Sequence, residues 1–142
     1  MARITPCLEN GKSAFVDFLD SNEVGTGSTE FIVMRSRAGC PTHLPYFLTR
    51  SNRFRDHAIR SMVGSSGRQR VSHHALLDFP LSRPNVADLD KFGQLSDKFF
   101  DHMKSLDAES AILAEMRDIL LPELISGDTQ VRDAEKVVEA VV

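Results

Sequence analysis

Between Val86 and Leu121 the chain holds no proline and one glycine, Gly93, while Phe92, Phe99, Leu106, Leu113 and Leu120 recur seven residues apart. Leu95, Met103, Ile112, Met116 and Ile119 widen the same seam, and Asp, Glu and Lys fill the other faces. A seven-residue apolar repeat sustained this long predicts one helix of about 30–35 residues, roughly 45–50 Å at 1.5 Å per residue. The remaining 85 or so residues make too small a globule to cover such a seam, so it asks for a second helix, from another copy or another polypeptide. The alternative is a long core helix of one globular domain. Pro122 is expected to perturb or restart the helix, and Gly127 to stop it. The tail Asp133–Val142 reads as a short amphipathic stretch.

The rest of the chain is a different object. Residues 1–87 carry 11 Lys+Arg against 7 Asp+Glu, and residues 88–142 carry 6 against 13, so a net charge of -3 hides a basic half and an acidic half. From Arg50 to Arg70 there are six arginines (Arg50, Arg53, Arg55, Arg60, Arg68, Arg70) and one acid, Asp56. Guanidinium forks suit phosphate oxygens and guanine edges. The competing reading is an ordinary solvated helix face.

Along this half, Ser13–Leu19 and Thr29–Arg35 read as strands from their aromatic and β-branched content, separated by the turn-rich Ser21–Ser28. Ser36–His43 reads as a loop. Helices are expected at Pro45–Thr49, with proline in the first turn, and at Asn52–Val63, with Ser51 as N-cap. Phe54, Ala58, Ile59 and Met62 would form the buried stripe of the second. Gly64–Arg70 is a donor-rich loop, Ser72 caps one turn through Leu77, and Phe79–Leu81 runs extended because Pro80 limits its pairing. The fold class expected is α+β: a small mixed domain followed by one long C-terminal coiled-coil helix.

The signatures of catalysis are missing. There is no Gly-rich phosphate loop ending in Lys-Ser/Thr, no HExxH and no CxxC. Gly25-Thr26-Gly27 precedes a predicted strand instead of following one. His73 and His74 are adjacent and should splay apart, which argues against metal ligation. Cys7 has no histidine base beside it and reads as a structural thiol; Asp17 and Asp20 read as turn-capping groups. Neither a metal nor a cofactor is expected, and no nucleophile–base–oxyanion set assembles. Two cysteines are too few for a disulfide framework, no apolar run has the roughly 20 residues of a membrane span, and a cytoplasmic protein is expected.

Five stretches occur in a characteristic order: ARITPCLENGK (Ala2–Lys12), GSTEFIVMR (Gly27–Arg35), Leu44–Met62 with the pair Phe54-Arg55, GSSGRQRVS (Gly64–Ser72) and LDFPL (Leu77–Leu81). They lead into the long helix, which closes with LAEMRDILLPELISG (Leu113–Gly127). This order resembles the specificity subunit of type I restriction-modification systems: the back part of one target recognition domain followed by one conserved spacer helix. The resemblance runs from Ala2 to about Glu135.

It implies residues 1–86 as a partial DNA-binding recognition domain, 87–127 as the spacer (Leu89–Leu121 at its heart) and 128–142 as a tail. It implies a subunit that binds double-stranded DNA and catalyses nothing, on which methyltransferase subunits dock and which an endonuclease subunit joins. Spacer helices of the family pair antiparallel, so Phe92, Phe99, Met103, Leu106, Leu113 and Leu120 are expected to pair with a second copy or another spacer. Family subunits carry two recognition domains and two spacers, so a truncated product or a fragment is expected here.

For DNA contact the candidates are Ser65, Ser66, Arg68, Gln69 and Arg70 on the glycine-rich loop, with Arg3, Asn10 and Lys12 as a second surface. Because that loop motif is shared by subunits with different targets, phosphate positioning is expected of Arg68 and Arg70 ahead of base reading. A second functional class stays open: an interaction module whose helix dimerises and whose small domain binds no DNA.

Overall fold

The structure is a computed structural model that describes residues 1–20, 22–82 and 84–131. Its elements in chain order are α1 (Leu44–Arg50), α2 (Asn52–Arg60), α3 (His73–Leu77) and α4 (Val86–Ser126). The chain divides into two units, Met1–Asp97 and Lys98–Val142, with α4 running through the division.

The helix starts are set locally. Pro45 sits in the first turn of α1, where its missing N–H is no loss. Ser51 Oγ accepts from the Phe54 N–H at the head of α2, and Ser72 Oγ accepts from the Ala75 N–H at the head of α3. At the head of α4, Asn85 Oδ1 accepts from the Asp88 N–H at 2.8 Å, while Asn85 Nδ2 donates back to the Asp88 carboxylate at 2.8 Å. This reciprocal pair places an acid in the first turn, where the helix dipole favours it. Helix α2 stops at Arg60, short of the expected Val63, because Val63 pairs with Arg70.

The core of the first unit is Leu8, Phe54, Ala58, Val71 and Leu76, with Ile32, Met34, Leu48, Ile59, Met62 and Phe79 packed against it. Phe54 is 1% exposed, a burial that contributes roughly 1.5–3 kcal/mol. Phe79 meets it edge-on at 5.1 Å. His57 Nε2 lies 2.8 Å from the Ala75 carbonyl and ties α2 to α3. The stripe expected for α2 is the one observed.

The α+β class needs correction: the described residues are mostly helical with very little strand. Neither Ser13–Leu19 nor Thr29–Arg35 forms a strand; the pairing among the described residues is three isolated antiparallel bridges, Ala2 with Phe31, Ile4 with Arg70 and Val63 with Arg70, of which only the first touches either segment. Part-buried and exposed positions do alternate from Glu30 to Ser36 as on a strand, but Phe18 and Leu19 lie in a bend and Thr29 and Glu30 in a turn. A strand also needs an extended neighbour to exchange N–H···O=C bonds with. Residues 1–5 serve as that neighbour only briefly, taking Glu30 and Ile32 on one side and Gln69 and Val71 on the other.

Helix α4 is longer than expected and continues through Pro122. Proline removes the N–H that would bond the Asp118 carbonyl, and at an exposed position that carbonyl is left to water. Gly127, at φ +82°, ends the helix as expected, and the Thr129 N–H reaches back to the Glu123 carbonyl. The expected amphipathic tail lies outside the described residues.

Candidate nucleic-acid interface

The loop expected to meet DNA is closed at its base by two backbone bonds of 2.9 Å between Val63 and Arg70. Within it the Arg68 N–H bonds the Ser65 carbonyl, which makes a turn with Gly67 in third position at φ +77°, where an L side chain would be strained. Gly64 also has positive φ, and a Cβ there would meet the Arg68 carbonyl oxygen at 3.0 Å. Ser65, Ser66 and Arg68 stand exposed at the tip, whereas Gln69 is part-buried and its carbonyl accepts from the Thr5 N–H at 3.0 Å.

Arg70 faces an acid. Its Nε lies 3.0 and 2.9 Å from the two Glu30 oxygens, and its Nη2 lies 2.7 Å from Oε1. The hydrogen bonds from Arg70, with help from the nearby charges of Arg70 and Arg3, hold the Glu30 carboxyl below its ordinary range. The same pairing raises Arg70. Arg70 therefore fixes the base of the loop to the segment carrying Glu30, and Arg68 is the loop arginine left facing outward. Glu30 lies 40 residues away in sequence, so no spacing rule could have revealed the pair.

Of the second candidate surface, Arg3 belongs with this cluster: its N–H donates to the Glu30 carbonyl and its own carbonyl accepts from the Val71 N–H. Asn10 and Lys12 lie at the end of a helical turn over residues 4–12, and the Lys12 carbonyl accepts from the N–H of Ala2, the neighbour of Arg3, at 2.9 Å. There the Gly11 N–H bonds the Leu8 carbonyl, the Lys12 N–H bonds the Cys7 carbonyl, and Gly11 takes φ +66°. This double closure satisfies the last carbonyls of the turn. Both Asn10 and Lys12 are exposed.

The helix seam divides in two. Phe92 packs edge-on against Phe47 of its own chain, with ring centroids 5.3 Å apart. On the same stretch Leu89 and Ser96 are buried, and a Cβ on Gly93 would meet Pro41 at 3.4 Å. Asp97 Oδ1 lies 3.0 Å from Nδ1 of the buried His43. From Phe99 onward the seam is open: Phe99, Met103, Leu106, Leu113 and Leu120 are each exposed, by 58, 53, 46, 57 and 43%. Gly93 and Ser96 carried no sequence signal, because a glycine and a serine do not mark an apolar stripe.

The other sequence candidates form no reaction centre. The rings of His73 and His74 do not splay; their centroids lie 4.0 Å apart, both residues being in the first turn of α3, where no preceding turn restricts χ1. No cluster of three or more metal-ligating side chains occurs among the described residues. Cys7 and Cys40 are free thiols. At the turn after Asp20 the side chain that bonds backbone is that of Glu23, which accepts from the Asp20 N–H. No described helix is long and apolar enough to cross a membrane.

Comparison with known proteins bears out the resemblance read from motif order. The chain is similar to two type I restriction enzyme specificity subunits of Escherichia coli. It is 26% identical to that of EcoEI over 141 residues, 98% of this chain and 23% of that protein. It is 25% identical to that of EcoAI over 140 residues, again 98% of this chain and 24% of that protein. The chain thus spans about a quarter of the length of these relatives. No protein-family profile matches it, and no solved structure does.

Proposed function

We propose that this chain is a non-catalytic DNA-recognition element of a type I restriction-modification complex: a partial target recognition domain (1–86), a spacer helix (87–127) and a tail (128–142). The observation that carries this is the similarity to two specificity subunits, which covers 98% of the chain and so takes in both the basic globule and the long helix. A likeness confined to the helix would say little, since any heptad repeat resembles another.

In this reading, Arg68 meets backbone phosphate from the exposed tip of the Gly64–Arg70 loop, with Ser65 and Ser66 beside it. Gln69 and Arg70 set the loop's posture, and Arg3 supports Arg70 at Glu30. The open seam from Phe99 to Leu120 takes a second helix, which fixes the distance between two recognition domains along a duplex. Phe92 acts within its own chain instead. Methyltransferase subunits dock on the paired helices, and the endonuclease subunit joins them.

The test is binding of the full chain to double-stranded DNA as salt is varied. Several phosphate contacts predict that affinity falls by orders of magnitude between about 50 and 200 mM salt, as counterions cease to be released at a gain. Binding that is absent at low salt, or indifferent to salt, would leave a helix-paired interaction module and remove the DNA role.

A further inference from the structure

We propose that the corner built on Gly11 is a phosphate-backbone contact whose cationic groups are Arg50 and Arg55, with Lys12 beside them. This rests on the DNA-binding reading above and adds to it residues outside the Gly64–Arg70 loop.

Two arginines from different helices converge on one glycine. Arg50, in the last turn of α1, directs Nη1 to the Gly11 carbonyl at 3.3 Å. Arg55 of α2 lies against the Cα of the same residue: a Cβ on Gly11 would stand 2.8 Å from Arg55 Nη1 and 3.7 Å from its Cδ. Arg55 is held there by Asn52 Oδ1, which accepts from Nη2 at 2.9 Å. Gly11 is therefore required for its left-handed φ, and the Arg55 guanidinium occupies the space its missing side chain leaves. Lys12 follows it in the chain, exposed.

Among the described residues no acid answers these charges. The ion pairs among the described residues are His43–Asp97, Arg70–Glu30 and Arg117–Asp118, so neither Arg50 nor Arg55 has a described carboxylate within 4.0 Å. Glu9 and Asp56, adjacent to the corner in sequence, are exposed and make no such pair. Both cations reach the same glycine, and an anion that approaches this corner is attracted by both. Each guanidinium carries five N–H donors, and the bonds named use one of each, which leaves donors of both forks for a tetrahedral oxyanion. The contrast with Arg70 is chemical: that fork is filled by Glu30, and these two are not.

The experiment measures binding of a random-sequence duplex of about 30 base pairs to the full chain across a salt series, because phosphate contacts do not depend on sequence. Arg50→Gln with Arg55→Gln, which keeps an amide donor at each place, is expected to lower low-salt affinity more than tenfold. The slope of log affinity against log salt should shrink by about two, at roughly 0.9 for each phosphate no longer neutralised. If circular dichroism shows the double variant unfolded, Lys12→Gln is the deciding variant, with an expected slope change of about one. Wild-type affinity and slope in the variant that folds would overturn this corner while leaving DNA binding intact. Failure of the unmodified chain to bind at all would remove both. Inorganic phosphate at millimolar concentration and fixed ionic strength is expected not to displace the duplex; displacement would reassign the corner to a free anion and overturn the proposal.

Discussion

Helix α4 uses one sequence rule for two purposes. Between Leu89 and Asp97 its inward residues are Leu89, Phe92, Gly93 and Ser96, and they are occupied within the first unit by Pro41, Phe47 and the His43–Asp97 contact. From Phe99 to Leu120 the seven-residue repeat continues, yet its apolar side chains stand exposed. The repeat in the sequence does not change at the boundary; what covers it does. A heptad pattern specifies that an apolar stripe exists, and only the surroundings decide whether the cover is intramolecular. Exposed apolar patches of this extent mark interaction sites in soluble proteins.

The largest effect that separates the two stretches is on association. Leu106→Glu with Leu113→Glu puts four charges into a helix pair and removes four buried leucines, a loss on the order of 6 kcal/mol or more. Size-exclusion chromatography with light scattering should then show a monomer. A double variant that still associates as tightly as the wild type would move the pairing surface off this seam.

A paired comparison comes next. Leu89→Ala should cost about 2–4 kcal/mol in urea denaturation, because the cavity opens inside a packed unit. Leu113→Ala, measured at a dilution where no pairing persists, should cost less than about 0.5 kcal/mol, since the side chain is already in water. Equal costs at the two positions would erase the distinction between the two stretches. Asn85→Ala, which deletes the reciprocal cap of α4, should cost about 1 kcal/mol and be read in thermal denaturation; no change would mean the cap contributes nothing to that helix end.

The smallest effect concerns pH. The folded Glu30 carboxyl is held below its ordinary range by Arg70, so the tie contributes its stability above that range and loses it as pH falls through the lowered pKa. The Tm difference between wild type and Glu30→Gln should therefore shrink on acidification below about pH 4. A difference that grows there would have the sign wrong.

What the sequence made legible was local. Ser51 and Ser72 announced the heads of α2 and α3, Phe54 and Ala58 the buried stripe of α2, and Gly127 the end of α4, because each signal acts within a turn or two of itself. The strands failed because Phe31, Ile32 and Val33 encode an extended backbone but not the neighbour it must pair with. Arg70 looked like its neighbour Arg68 until Glu30 approached from 40 residues away. The corner at Gly11 was invisible for the same reason: Asn10 and Lys12 stood out in sequence, but the arginines that close on Gly11 come from two later helices. Pro122 did not restart the helix, which runs through it to Ser126.

Sedimentation equilibrium of the unmodified chain tests the account at its centre. If the open stripe from Phe99 to Leu120 is the seat of a second helix, the apparent mass should rise from 15.8 kDa to twice that value as concentration increases. A mass that stays at one chain at the highest attainable concentration would contradict it.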